Sequence, residues 1–224
     1  MDGDMDARRT LVIATQNQDK VKEIREIWGG LPWDVRSLVD LGIGDAPEED
    51  GETFAENARI KALAAYRATG LPSAGDDSGL CVDALGGAPG VLSSRFAGRA
   101  GDTPANNRLL LERLMGVPGA QRSARFVCNL ALAWGPEAPA SLCDHPGHLV
   151  VEGVHTIIVE GRLEGRIADA PRGTGGFGYD PLFLLPERDV HLAELPLAEK
   201  NAISHRGRAF RELAQVLAGW EEEA

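Results

Sequence analysis

Cysteine is scarce in this chain and builds no framework. Cys81, Cys128 and Cys143 are odd in number, far apart and without a C-x-x-C pair. That excludes a disulfide scaffold and predicts a reducing, cytoplasmic setting, with the thiols as core or surface residues and not nucleophiles. No apolar run approaches membrane-spanning length, so no transmembrane helix is expected. The opening residues, Met1-Asp-Gly-Asp-Met-Asp6, are acidic and polar, unlike a secretory signal. Positive charge is also short: 23 Lys and Arg face 34 Asp and Glu, for a net charge of -11. Nucleic acid polymers are held mainly by clustered cations, so a general DNA or RNA binder is excluded. A free nucleotide asks for less, a few local cations and a metal. Internal repeats, low-complexity tracts and interdomain linkers are missing as well.

What is present is ordinary globular material. The 224 residues are 43% hydrophobic and 25% charged, enough for one large domain or two tightly joined lobes. Residues 1–9 read as a disordered lead to a single domain over 10–220. Thr10-Leu-Val-Ile-Ala14 is a candidate buried strand, followed by a polar loop and by Val21, Ile24, Ile27 and Trp28 at helical spacing up to Gly29-Gly30. A strand–loop–helix order aims helix N-terminal amides at the loop and favours an anion there, and Lys20 adds a cation. A second strand is predicted from Asp34 to Leu38, and a helix capped by Thr53 from there to Thr69, ended by Gly70. Asn57 and Lys61 share one face of it. Asp76-Asp77-Ser78-Gly79 reads as a turn carrying two acids, and Thr103-Pro104 as the cap and first residue of a helix through Met115. Alternation from Phe126 to Trp134 predicts a long strand. Strand, turn, strand is predicted over 150–167, a short strand over Leu182–Leu185, and an amphipathic last helix carrying Phe210, Leu213 and Leu217. Helices and strands alternate early, and strands dominate the middle. The fold class expected is α/β with a mixed β-sheet flanked by helices.

Two stretches point to chemistry. Thr174-Gly-Gly-Phe-Gly-Tyr-Asp-Pro181 places Phe177 between glycines, and Ser204-His-Arg-Gly207 places His205 beside Arg206. A flat apolar ring with a few fixed donors suits a purine, stacked on its face and read along its rim. An isolated Phe is usually core, but flanking glycines help expose a ring to a ligand. The glycine-rich stretch is not a P-loop, since no Gly-Lys-Ser/Thr follows. His145-Pro-Gly-His148 offers two imidazoles, lacks further ligands in the sequence and reads as a loop.

Taken in order, Thr15-Gln-Asn-Gln-Asp-Lys20, Glu48 with Thr53-Phe-Ala-Glu-Asn57, Asp76-Asp-Ser-Gly79, Gly86-Gly-Ala-Pro-Gly90 with Ser94-Arg-Phe-Ala-Gly98, Gly175-Gly-Phe-Gly-Tyr-Asp-Pro181 and Glu199-Lys-Asn-Ala-Ile-Ser-His-Arg206 form a specific set. With them the chain resembles the inosine/xanthosine triphosphate pyrophosphatases over nearly its whole length. The resemblance implies an elongated mixed sheet, two lobes with a central substrate cleft, and a homodimer. It implies ITP, dITP and XTP as substrates, Mg²⁺ as cofactor, and nucleoside monophosphate plus pyrophosphate as products. By position, Thr15, Gln16, Asn17, Gln18, Asp19 and Lys20 would embrace the triphosphate, with Gln16 standing where the family often has Gly. Glu48 and Asp77 would hold the metal, Asp77 also accepting a proton, and Ser78 would touch substrate. Phe177, Gly178, Tyr179, Asp180, Lys200, His205 and Arg206 would complete the nucleotide site. The segment from about Pro136 to His155 is longer than the resemblance leads one to expect. Two other readings stay open on the residues: a pyrophosphatase for other modified or pyrimidine nucleotides, and a non-catalytic nucleotide sensor.

Overall fold

A computed structural model of the chain describes residues 9–15, 18–29, 32–44, 47, 49–136 and 139–222. The N-terminal apolar run forms β1 (Arg9–Ile13), one residue inside the stretch read as a disordered lead. It pairs in parallel with β2 (Trp33–Ser37), and through Val12 and Ile13 with β3 (Ser73–Val82). Helix α1 (Gln18–Trp28) connects β1 to β2, and α2 (Phe54–Thr69) leads into β3. Helix α3 (Thr103–Arg113) precedes β4 (Ser123–Trp134). The hairpin of β5 (Leu149–Val151) and β6 (Val154–Ile167) is antiparallel, as are the pairings of β6 with β7 (Phe183–Leu185) and of β7 with β8 (Val190–His191). Helices α4 (Leu197–Ile203) and α5 (His205–Glu222) close the chain. The strands join in one mixed eight-stranded sheet, ordered β2-β1-β3-β4-β6-β7-β8, with β5 on β6. This is the α/β architecture with a mixed, helix-flanked sheet that the sequence predicts. No helix among the described residues is long and apolar enough to cross a membrane.

The chain forms two compact units. One comprises Met1–Asp76, Asn129–Val159 and Phe210–Ala224, the other Asp77–Cys128 and Glu160–Ala209. In the first, the small side chains Ala58, Ala62, Ala131 and Ala133 bring α2 and β4 together. Trp28 meets Phe210 edge to face at 5.1 Å and donates its indole N–H to the Phe210 carbonyl. In the second, Leu80, Val82, Leu110, Leu114, Phe126, Leu163, Leu182 and Phe183 form a continuous buried cluster. Each such side chain contributes about 1.5–3 kcal/mol on burial.

Local signals explain the element ends, with instructive exceptions. Thr53 caps α2 by accepting from the Glu56 amide while Glu56 reaches back, and Gly70 ends the helix at φ 69°. This is the reciprocal cap the sequence predicts. Helix α3 departs from its prediction: Asp102, not Thr103, is the cap, because its carboxylate accepts from the Ala105 amide, and the helix ends at Arg113. The Asp76–Gly79 stretch is not a turn but the middle of β3, since Leu80 and Val82 continue an extended run into the core. Strand β4 was expected to alternate, yet from Phe126 to Trp134 every residue is buried. It is flanked by β3 and β6, and a central strand covered on both faces needs no wet side. Helix α4 and strand β8, only seven and two residues long, carry too little pattern for a sequence reading.

Candidate active site

Phe177 sits on a loop that its own backbone builds around one carboxylate. Gly176 and Gly178 adopt φ 71° and 60°, left-handed values that side chains resist. At Gly176 a Cβ would also collide with the Asp180 carboxylate. Asp180 Oδ2 accepts from the Phe177 amide at 2.9 Å and from Lys200 Nζ at 2.6 Å. The Asp180 and Lys200 side chains are only 5% and 7% exposed. A buried pair of this kind is scaffolding: deleting one partner strands the other charge, at a cost of about 3–5 kcal/mol. The result is a Phe177 ring that remains 52% exposed in a protein with an ample core. Lys200 Nζ and Arg206 Cζ each lie 4.7 Å from its centroid, within cation–π range.

The start of α5 is fixed with equal economy. Gly161 on β6 lets the helix approach so closely that a Cβ there would run into the His205 carbonyl oxygen. His205 is buried, its ring stacked on Phe126 at 4.9 Å and 11°. Ser204 Oγ accepts from the Gly207 amide. Half-buried Arg206 is thereby turned toward both Phe177 and Ser78, donating to Ser78 Oγ at 3.4 Å. Asp77, next along β3, accepts from the Ser78 amide at 3.0 Å, which orients its half-buried carboxylate.

The structure therefore links four predicted residues to Phe177: Lys200 and Arg206 over its ring, Asp180 at its amide and Ser78 through Arg206, while His205 packs on Phe126. Tyr179 is part of the support: it is buried, its hydroxyl donates to the Ser93 carbonyl, and desolvation pushes its ionisation well above the usual tyrosine range. Lys200, expected in the nucleotide site, pairs with Asp180 and lies over Phe177. Thr15 follows β1, its amide donating to the Ile13 carbonyl. Gln18, Asp19 and Lys20 open α1, but their side chains, with Gln16, Asn17 and Glu48, lie outside the described residues. Asn57 and Lys61 serve locally: Asn57 Oδ1 accepts from the Gly51 amide, and Lys61 donates to the Asp76 carbonyl and pairs with Glu49. A cavity of about 600 Å³ lined by Arg9, Tyr66, Trp134 and Trp220 contains none of the predicted site residues.

Two positioning residues escape a sequence reading. On α3, Asn106 accepts from the Ala97 amide and donates to the Ser94 carbonyl, while Asn107 donates to the Gly178 carbonyl at 3.1 Å. One helix thus braces two of the sequence motifs. Adjacent amides inside a helix are the available signal, since Asn has poor helix propensity and needs a reason to be there. His145-Pro-Gly-His148 is a loop, as read. The fold brings Cys143 and His155 close to His148, while His145 accepts from the Gly147 amide.

With this geometry in place, comparison with known proteins is direct. The model of the Ham1 family matches residues 11–216. A dITP/XTP pyrophosphatase of Geobacter sulfurreducens is 47% identical over 94% of this chain and 97% of its own length. One of Bacillus subtilis is 44% identical over 92% and 96%. Among solved structures, a HAM1 protein from Coxiella burnetii superposes with a TM-score of 0.80 at 41% identity, covering 94% of this chain and 99% of that one. A nucleoside-triphosphatase / dITP/XTP pyrophosphatase from Mycobacterium abscessus gives 0.70 at 40% identity over 91% and 98%. On sequence, motif order and fold, the chain belongs to the Ham1 family.

Proposed function

We propose that the protein hydrolyses non-standard purine nucleoside triphosphates, ITP, dITP and XTP, to the monophosphate and pyrophosphate, clearing deaminated purines from nucleotide pools in the cytoplasm. The observation that carries this reading is the half-exposed Phe177 ring, fixed between two left-handed glycines with Arg206 over it and Arg206 also on Ser78, the neighbour of Asp77. The names and high identity of the relatives point the same way.

Phe177 offers its face to the purine, and stacking on a ring that is already ordered costs little further entropy. Hypoxanthine and xanthine present a 6-keto acceptor where adenine presents an amino donor. Arg206 can only donate, so it accepts the first and leaves adenine mismatched, a type of polar mismatch that discriminates by up to about 10⁴-fold. Guanine shares the keto group and must be rejected at its 2-amino group by shape or an opposing donor. His205, stacked on Phe126, seats the start of the helix that carries Arg206, and Tyr179 and Asp180 hold the loop.

Cleavage between the α and β phosphorus atoms is largely charge neutralisation and positioning of water. Asp77 fits a Mg²⁺ site chemically, as an oriented, half-exposed oxygen donor on a strand. Together with Glu48, it is the residue we assign to hold the ion, which when bound would neutralise phosphate charge. Asp77 also takes the proton of the attacking water. Thr15, Gln16, Asn17, Gln18, Asp19 and Lys20 are assigned to the triphosphate. A homodimer, which the family resemblance implies, is checked by light scattering in solution.

Turnover of ITP, XTP, dITP, GTP and ATP with Mg²⁺, resolving pyrophosphate from orthophosphate, tests the proposal. Preference for ITP and XTP by about 10²-fold or more in kcat/KM with pyrophosphate as product is the expected result. Equal use of all five, or orthophosphate release, overturns it. Tight ITP binding without turnover would make the protein a sensor.

A further inference from the structure

The corner formed by Cys143, His148 and His155 lies wholly within the first unit and takes no part in nucleotide hydrolysis as proposed above. Cys143 stands in a short 3-10 turn, Ala140–Asp144. His148 immediately precedes β5, and His155 pairs across the hairpin with Val150. The hairpin register is pinned by Glu152 and Gly153, both at positive φ. One donor atom of each of the three residues lies within 4.8 Å of the other two. His148 Nε2 is 3.1 Å from His155 Nδ1, and Cys143 Sγ is 3.6 Å from that same Nδ1.

The two shorter separations come close to edges of a coordination tetrahedron. With Zn–N near 2.0–2.1 Å and Zn–S near 2.3 Å, ligand atoms stand ~3.3 Å apart for two nitrogens and ~3.6 Å apart for nitrogen and sulfur. Hydrogen bonding alone satisfies the corner poorly. Whichever tautomer His155 adopts, its Nδ1 offers a single in-plane position, one lone pair or one N–H, to two partners, the His148 nitrogen and the Cys143 sulfur. A cation instead accepts a lone pair from each of the three atoms at once. The rings are also held in place: Trp134 lies against both, 5.9 Å from His148 and 5.8 Å from His155. Such pre-ordering is what a built site has and a chance encounter of surface side chains lacks.

We propose that Cys143, His148 and His155 form a binding site for a borderline-soft divalent cation, Zn²⁺ in the first instance, that clasps the Ala140–Asp144 turn to the β5–β6 hairpin. One thiolate and two neutral imidazoles select against Mg²⁺ and Ca²⁺, which require oxygen ligands, so the site does not compete for the catalytic ion. On binding, the Cys143 thiol gives its proton to solvent. Cys143 is exposed, leaving the fourth coordination position to water and making the ion exchangeable.

The test is titration of the full-length, chelator-treated protein with Co²⁺, followed by displacement with Zn²⁺. The expected result is one Co²⁺ per chain with a near-ultraviolet thiolate-to-cobalt charge-transfer band, bleached by Zn²⁺ and untouched by excess Mg²⁺. Cys143→Ser, a single-atom change at an exposed position, should abolish the band and weaken Zn²⁺ binding by ~10-fold or more, and His148→Asn should weaken it comparably. Asp77→Asn should leave the band unchanged, which separates this site from the catalytic carboxylates. Absence of the band in the wild type, or a band that Cys143→Ser or His148→Asn leaves intact, overturns the proposal.

Discussion

Two corners of this molecule hold clustered polar side chains, and they solve the problem of clustering differently. Around Phe177 the buried charges satisfy each other: Asp180 and Lys200 close a pair at 2.6 Å, and the exposed element is an apolar ring. At Cys143, His148 and His155 three donor atoms crowd together, with His155 Nδ1 3.1 Å from His148 Nε2 and 3.6 Å from Cys143 Sγ. The first arrangement is complete as protein and offers a surface. The second, in the reading proposed above, is completed by a cation. The difference separates a site organised to receive a large flat ligand from one organised to coordinate a small one.

The sharpest way to break the comparison is to ask where activity lives. Asp77→Asn keeps the shape of the carboxylate and removes its charge and basicity, so ITP turnover should fall by about 10²-fold or more with the melting temperature nearly unchanged. Cys143→Ser should leave turnover within about twofold, since it touches nothing around Phe177. Steady-state pyrophosphate release measures both. Near-wild-type turnover in a folded Asp77→Asn protein removes Asp77 from the mechanism.

Stability should divide the other way. Asp180→Ala strands the buried Lys200 ammonium and should cost about 3–5 kcal/mol in urea unfolding. Replacing both partners, Asp180→Leu with Lys200→Met, should recover much of that loss, because the uncompensated charge is gone. The double variant should still use ITP poorly, since the Phe177 amide has lost its anchor. A cost below about 1 kcal/mol for Asp180→Ala would mean that the pair is solvated and supports nothing. A smaller effect is expected at Arg206. Arg206→Ala should lower the preference for ITP over ATP by about tenfold, equivalent to about 1.4 kcal/mol, while sparing the chemical step. Equal losses on both nucleotides would make Arg206 a phosphate ligand or a strut.

These residues also show which parts of the molecule were legible in advance. Thr53, Glu56 and Gly70 encode α2 locally, so its ends follow from sequence. Phe177 between glycines and Arg206 beside His205 announced a ring and a donor, and the fold brings them to 4.7 Å. The illegible parts depend on distant partners. That Lys200 is spent on Asp180, twenty positions away, is not written near either residue. The Asp-Asp-Ser-Gly stretch has turn composition, and only its place in β3 overrides that preference. Cys143 and His155 likewise flank His148 at spacings that match no common metal motif, and only the β5–β6 hairpin together with the Ala140–Asp144 turn makes them neighbours.

The smallest effect is expected at Asn107, and it probes how rigid the Phe177 corner must be. The Asn107 amide donates to the Gly178 carbonyl from α3, and its own Oδ1 is buried without a partner among the described residues. Asn107→Ala removes one hydrogen bond, worth about 1 kcal/mol, and relieves the unsatisfied oxygen, so net stability should change by less than that. The loop would nevertheless lose its outside brace. KM for ITP should then rise a few-fold with kcat nearly constant, because a looser Phe177 weakens binding of ground state and transition state alike. Asn107→Asp makes the contrast: it keeps the size but sets a carboxylate oxygen against the Gly178 carbonyl, and should raise KM further. If both variants keep the wild-type KM, the glycine loop is held by Asp180 and Lys200 alone, and the brace from α3 is dispensable to substrate binding.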